Sequence, residues 1–212
     1  MKPILLFGGT FDPVHVGHLR VALEAAEALD AGVRLMPANV PPHRPEPIAN
    51  AAQRVAMLDC ALAGQDRLTL DARELRRAGP SYTFDTLCEL RAELPVRQPL
   101  ALLLGSDAFA GLPAWHRWRE LFELAHLVVL TRPGHAPALP PELAVAVAPR
   151  RVRDAAEIAH RSAGMVLELA VTPLEISASA VRELLAQGRD PRWLLPDALA
   201  ARPDLLAVYR RA

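Results

Sequence analysis

Short apolar runs alternate with stretches of helical periodicity along most of this chain. The runs fall at 4–7, 33–36, 67–70, 100–104, 127–130 and 166–171. Each is too short for a helix, and as a set they read as continuous rather than alternating. A strand exposed on one face would alternate, so these strands are expected to be covered on both faces. Between the first two, Val16, Leu19, Leu23, Ala26 and Leu29 recur at gaps of three and four, the spacing of one helix face. Repeated strand–helix–strand units predict a parallel α/β sheet. Right-handed crossovers make it doubly wound and Rossmann-like, with helices on both faces.

Further helices are expected from a cap at Asn50 to about residue 62, from Ser81 or Thr83 to a stop at Pro95, and over 177–187 before Gly188. The segment 132–150 is rich in proline and alanine and is expected to be the least regular. Residues from 196 on form a small C-terminal helical segment. No repeat or linker divides the chain, so residues 1–212 are read as a single domain.

Lys plus Arg and Asp plus Glu are equal at 24 each, which gives no long-range pull toward nucleic acid or an acidic membrane. No apolar run reaches the about 20 residues that span a bilayer, and Met1-Lys2-Pro3 does not begin a signal peptide. Cys60 and Cys88 lie far apart in helical patterns, and two buried free thiols are expected. A cytoplasmic location is expected, and nothing indicates an oligomer.

The chemistry is concentrated after the first strand, in Gly8-Gly9-Thr10-Phe11-Asp12-Pro13-Val14-His15-Val16-Gly17-His18. Glycines at a strand end let backbone approach a ligand, and Asp12-Pro13 fixes a turn. His15 and His18, three apart at a helix start, share a face. The amides and dipole of that helix start favour an anion. Together these residues make a phosphate cradle. Gly105 also follows a strand, and ligands of doubly wound sheets bind beyond strand carboxyl ends where strand order reverses.

The string resembles the GGTFDPxHxGH signature of the HxGH nucleotidyltransferase superfamily. Ile176-Ser177-Ala178-Ser179-Ala180-Val181-Arg182 resembles that superfamily's second phosphate motif. Either serine can cap the helix, while Arg182 offers a fork to phosphate oxygens. Four further segments make the resemblance closest to the bacterial nicotinate mononucleotide adenylyltransferase family. They are Pro37-Ala38-Asn39-Val40-Pro41-Pro42-His43-Arg44, Pro80-Ser81-Tyr82-Thr83, Gly105-Ser106-Asp107 with Leu112-Pro113-Ala114-Trp115, and Arg132-Pro133-Gly134. Ala38 departs from the pattern, standing where many members carry asparagine.

The resemblance implies transfer of the adenylyl group of ATP to nicotinate mononucleotide, with release of pyrophosphate. His18, His15 and His43 are the implied catalytic group. ATP is assigned to Gly8, Gly9, Thr10, Phe11, His15, His18, Ile176, Ser177, Ser179 and Arg182. The mononucleotide is assigned to Asn39, His43, Arg44, Ser81, Tyr82, Thr83, Asp107, Trp115 and Arg132. Mg²⁺ is expected on phosphate oxygens and water, with no protein metal site. Trp115 can stack on a pyridinium ring or simply pack in the core. Asp107 can hold a ribose hydroxyl or cap a helix. His116, His126, His135 and His160 are left as packing or surface residues. Arg73, Arg76 and Arg77 are expected to be solvated. Two alternatives stand beside this reading: a relative using another phosphorylated acceptor such as phosphopantetheine, and a nucleotide-binding regulator without turnover.

Overall fold

The computed structural model describes residues 1–39, 46–132 and 138–210. Its strands are β1 (Ile4–Gly9), β2 (Gly32–Pro37), β3 (Leu68–Leu70), β4 (Leu100–Gly105), β5 (His126–Thr131), β6 (Arg151–Val152) and β7 (Val166–Ala170). They form one sheet in the order β3-β2-β1-β4-β5-β7-β6, and every pairing is parallel. The helices are α1 (Val16–Ala28), α2 (Ala51–Leu62), α3 (Thr83–Glu93), α4 (Ser106–Ala110), α5 (Leu121–Leu124), α6 (Pro141–Val147), α7 (Ala178–Ala186), α8 (Asp197–Ala200) and α9 (Pro203–Leu206), with short 3₁₀ turns between them.

Side chains of a strand point alternately to its two faces. Leu5, Leu103, Val128 and Leu167 therefore enter one core with α1, α2, α7 and the C-terminal helices. Their neighbours Leu6, Leu102, Leu104, Leu127, Val129 and Val166 enter a second core with α3, α4, α5 and α6. Two covered faces explain why the strands read as continuous apolar runs. Asn50 caps α2 as expected: its Oδ1 accepts from the Gln53 amide at 3.0 Å, and the Gln53 side chain accepts from the Asn50 amide at 2.9 Å.

The strand order also locates the crevice. The chain runs from β1 outward to β2 and β3, then returns to the other side of β1 for β4 and β5. The reversal lies between β1 and β4, which end in Gly8-Gly9 and Gly105. Helices then leave the carboxyl ends of both strands, so the crevice lies where the sequence placed it.

Two local expectations are corrected and a third gains detail. The segment 132–150 contains α6, whose Leu143 and Val147 are fully buried four residues apart. Flanking prolines masked that pair, and the two-residue β6 that follows is too short to show in a pattern. The C-terminal segment is helical as expected, and it is divided into α8, α9 and a 3₁₀ turn at Ala207–Tyr209, because Pro203 cannot continue a helix. Cys60 and Cys88 are free thiols, but each is only half-buried.

Candidate active site

The two strand ends facing the crevice carry no side chains, and the reason differs by position. A Cβ added at Gly8 or at Gly105 would meet nothing within 4 Å. The fold does not need glycine there, and the space is open to a ligand. A Cβ at Gly9 would lie 2.9 Å from the ring of Phe11, so that glycine serves packing. Phe11 itself adopts φ 50°, a left-handed conformation uncommon for an aromatic residue. Its ring is buried edge-on to Phe7 and His18. What Phe11 can offer a nucleotide is backbone, and its side chain belongs to the core.

His15 is the N-cap of α1 and His18 its third residue, and the two rings stack with centroids 3.6 Å apart. Nδ1 of His18 accepts from the His15 amide at 3.3 Å. An amide only donates, so the proton of a neutral His18 sits on Nε2, leaving that atom a donor. His15 is buried, and its Nδ1 has no partner. Burial lowers its pKa to about 4. His15 is therefore a neutral dipole at physiological pH. Close packing enforces this arrangement: a Cβ on Gly17 would come 3.1 Å from His15 Nδ1 and 3.6 Å from Ile176.

The contact with Ile176 joins the two phosphate motifs. Ser177 caps α7, accepting from the Ala180 amide at 3.1 Å. Ser179 instead accepts from Arg182 Nη2 at 3.1 Å, and Arg182 Nη1 donates to the Asp12 carbonyl at 2.6 Å. The guanidinium is thus held against the turn of the first motif. The Thr10 carbonyl on the same turn accepts from Arg54 Nη1 at 2.9 Å.

Arg54 is almost fully buried, and sequence reading missed it. Burial lowers its proton affinity, while Asp12 and Tyr209 oppose that shift. A signal existed: Arg54 shares a helical stripe with Met57, Leu58 and Ala61, so a charge there had to be buried and used.

Across the sheet end, the region after β2 meets the start of α3. The Asn39 amide donates to Ser81 Oγ at 2.9 Å, and Asn39 Nδ2 donates to the Arg77 carbonyl at 2.9 Å. Tyr82 is the N-cap of α3 but makes no side-chain cap, so the first α3 amides, beginning at Thr83, have no side-chain cap. Trp115 is half-buried against the second core. Next to it, His116 lies against the Tyr82 ring at 4.7 Å, bringing the segments at 81–83 and 112–116 together. His116 is exposed and packs on Tyr82, in keeping with the packing or surface role expected for it.

Asp107 is exposed in the first turn of α4, where it makes no cap. Arg132, just beyond β5, pairs at 3.2 Å with Glu175, which precedes the second phosphate motif in sequence. His43 and Arg44 lie outside the described residues, as does His135.

The basic run is not solvated as a whole. Arg73 contacts Asp71 and Glu93 at 3.0 and 3.1 Å, and Arg77 contacts Glu89 at 3.0 Å. Between them Glu74 is buried and accepts from Thr86 Oγ1 at 2.7 Å. Burial raises its pKa against the opposing pull of Thr86, Ser81 and Arg77. Only Arg76 of the three arginines is exposed. His126 is fully buried, with Nδ1 accepting from the Met165 amide at 3.1 Å and Nε2 2.9 Å from the Arg161 carbonyl.

No cluster of three or more His, Cys, Asp or Glu converges among the described residues. No helix among them is long and apolar enough to cross a membrane.

The cytidylyltransferase-like family model matches residues 6–184. The chain is 52% identical over 203 residues to the probable nicotinate-nucleotide adenylyltransferase of Halorhodospira halophila, covering 95% of this chain and 93% of that one. It is 47% identical to the corresponding protein of Aeromonas hydrophila, over 99% and 98% of the two chains. Its fold matches the solved nicotinic acid mononucleotide adenylyltransferase of Plasmodium falciparum complexed with NaAD, with a TM-score of 0.71, 15% identity, and 99% and 98% coverage. The open strand ends, the paired imidazoles and the near-full-length match agree: this chain belongs to the nicotinate-nucleotide adenylyltransferase family.

Proposed function

We propose that this protein transfers the adenylyl group of ATP to nicotinate mononucleotide, giving nicotinate adenine dinucleotide and pyrophosphate. The observation that carries the reading is the open space at Gly8 and Gly105, next to the stacked imidazoles at the start of α1. That is a site for an extended phosphate chain on the switch point of the sheet.

An oxygen of the mononucleotide 5′-phosphate attacks the α-phosphorus of ATP. The bond from that phosphorus to the bridging oxygen of the β-phosphate breaks, and pyrophosphate leaves with the electron pair. The nucleophile is already ionised, so no general base is required. Catalysis is then positioning and charge stabilisation. His18 Nε2–H and Thr10 donate to phosphate oxygens. Arg182 and Ser179 hold the β- and γ-phosphates. A Mg²⁺ ion bound to the triphosphate would neutralise part of its charge. The α3 start receives the acceptor's carboxylate, and Trp115, with Tyr82 and His116 beside it, flanks the pyridinium ring.

Pyrophosphate release should be measured with ATP and a panel of acceptors: nicotinate mononucleotide, nicotinamide mononucleotide and phosphopantetheine. Release is expected to be fastest with nicotinate mononucleotide. Preference for phosphopantetheine would overturn the acceptor assignment, and no release with any acceptor despite tight ATP binding would leave a nucleotide-binding regulator.

A further inference from the structure

A tyrosine from the far end of the chain closes on the first phosphate motif. The Tyr209 hydroxyl donates to Asp12 Oδ1 at 2.6 Å, across 197 residues of sequence. Both side chains are buried, with 5% and 4% exposure. The same carboxylate accepts from the Ala49 amide at 3.0 Å and, through Oδ2, from the Ile48 amide at 2.9 Å. On the other side of the residue, the Asp12 carbonyl and carboxylate lie 2.6 and 3.7 Å from Arg182 Nη1. Asp12 is therefore tied to the first motif by the chain itself, to the residues before α2, to α7 through Arg182, and to the C-terminal turn through Tyr209.

We propose that Tyr209 is a positioning residue for the triphosphate site, acting through Asp12. Asp12 sits between Thr10, whose carbonyl is held by Arg54, and His15 at the helix start. Rotation of its carboxylate away from the Ile48 and Ala49 amides would loosen the anchorage of this turn, along with the carbonyl that holds Arg182. The hydroxyl of Tyr209 limits that rotation with one short, charge-assisted bond in a water-poor setting. Burial and the bond to Asp12 both raise the proton affinity of Tyr209, so it stays a donor throughout the working pH range. The proposal rests on reading residues 8–18 and Arg182 as the triphosphate site.

The test compares wild type with Tyr209→Phe, which keeps the ring in the core and removes only the hydroxyl. ATP affinity is measured by titration calorimetry without any acceptor, at a temperature where circular dichroism shows both proteins folded. Tyr209→Phe is expected to bind ATP about tenfold more weakly. Binding within twofold of wild type overturns the proposal, because a ring that only packs would leave affinity unchanged. A second measurement needs no variant. If the latch favours ATP, then ATP favours the latch by the same factor. Hydrogen exchange at the Ile48 and Ala49 amides of the wild-type protein should slow on adding ATP, and unchanged exchange overturns the proposal even where Tyr209→Phe does not fold. Failure of the wild-type chain to bind ATP would overturn this proposal and the proposed reaction together. Normal wild-type binding with an unaffected variant removes this proposal alone.

Discussion

His18 and Trp115 illustrate two kinds of contribution a single side chain can make here. The Nε2–H of His18 is directed by a backbone amide that occupies its other nitrogen. In the proposed reaction, a donor of this kind would act on charge that develops as the α-phosphate is transferred. His18→Ala should lower kcat by about 100- to 1000-fold with little change in ATP affinity. Steady-state kinetics with ATP titration check this, and near-normal turnover would remove His18 from the mechanism. Trp115 is half-buried, so it can pack with one face and present the other. Trp115→Ala should weaken acceptor binding about tenfold while leaving ATP binding within twofold, and equal losses for both substrates would mark it as structural. At this scale the motif residues were legible because glycine, histidine and hydroxyl residues recur at fixed spacing. Arg54, Glu74 and Tyr209 were harder to read, since a buried polar residue reveals its purpose only through partners distant in sequence.

Neighbouring glycines at the end of β1 separate ligand space from packing space. Gly8→Ala places a methyl group in open space, so folding stability should stay within about 1 kcal/mol. ATP affinity should fall at least tenfold, because the methyl group occupies the approach to the strand end. Gly9→Ala drives a methyl group against the ring of Phe11, itself buried and held at a positive φ. That variant should lose about 1–3 kcal/mol. Chemical denaturation and ATP titration of both variants check the contrast, and a stable Gly9→Ala or a tightly binding Gly8→Ala would break it. Among the elements, the strands and long helices were readable because burial on two faces and on one stripe leave different periods. The helix α6 was not, because its apolar signal rests on Leu143 and Val147 within a proline- and alanine-rich stretch.

Among the described residues, two imidazoles are buried and neutral, His15 near the crevice and His126 at the base of β5. Both bind protons less readily folded than unfolded, through burial, and His15 falls to about 4. The unfolded chain takes up these protons near pH 6.5, so the associated stability is complete above that pH and is lost as pH falls, for His15 toward 4. For His15 the loss is about 3 kcal/mol at most. Denaturation at pH 7 and pH 4.5 should show His15→Asn losing less stability on acidification than wild type, and parallel losses would contradict the buried neutral assignment. The doubly wound parallel sheet and the strand ends that line its crevice followed from the alternation of elements, whereas the closure of the C-terminal turn onto Asp12 left no periodic trace. That closure bears on how the protein is made. A ribosome delivers the Gly8–His18 turn early and Tyr209 some 190 residues later. Domains fold as units while synthesis proceeds from the N-terminus. A nascent chain that has exposed the whole nucleotide signature still lacks the residue that secures it, so an incomplete translation product has the motif without the grip.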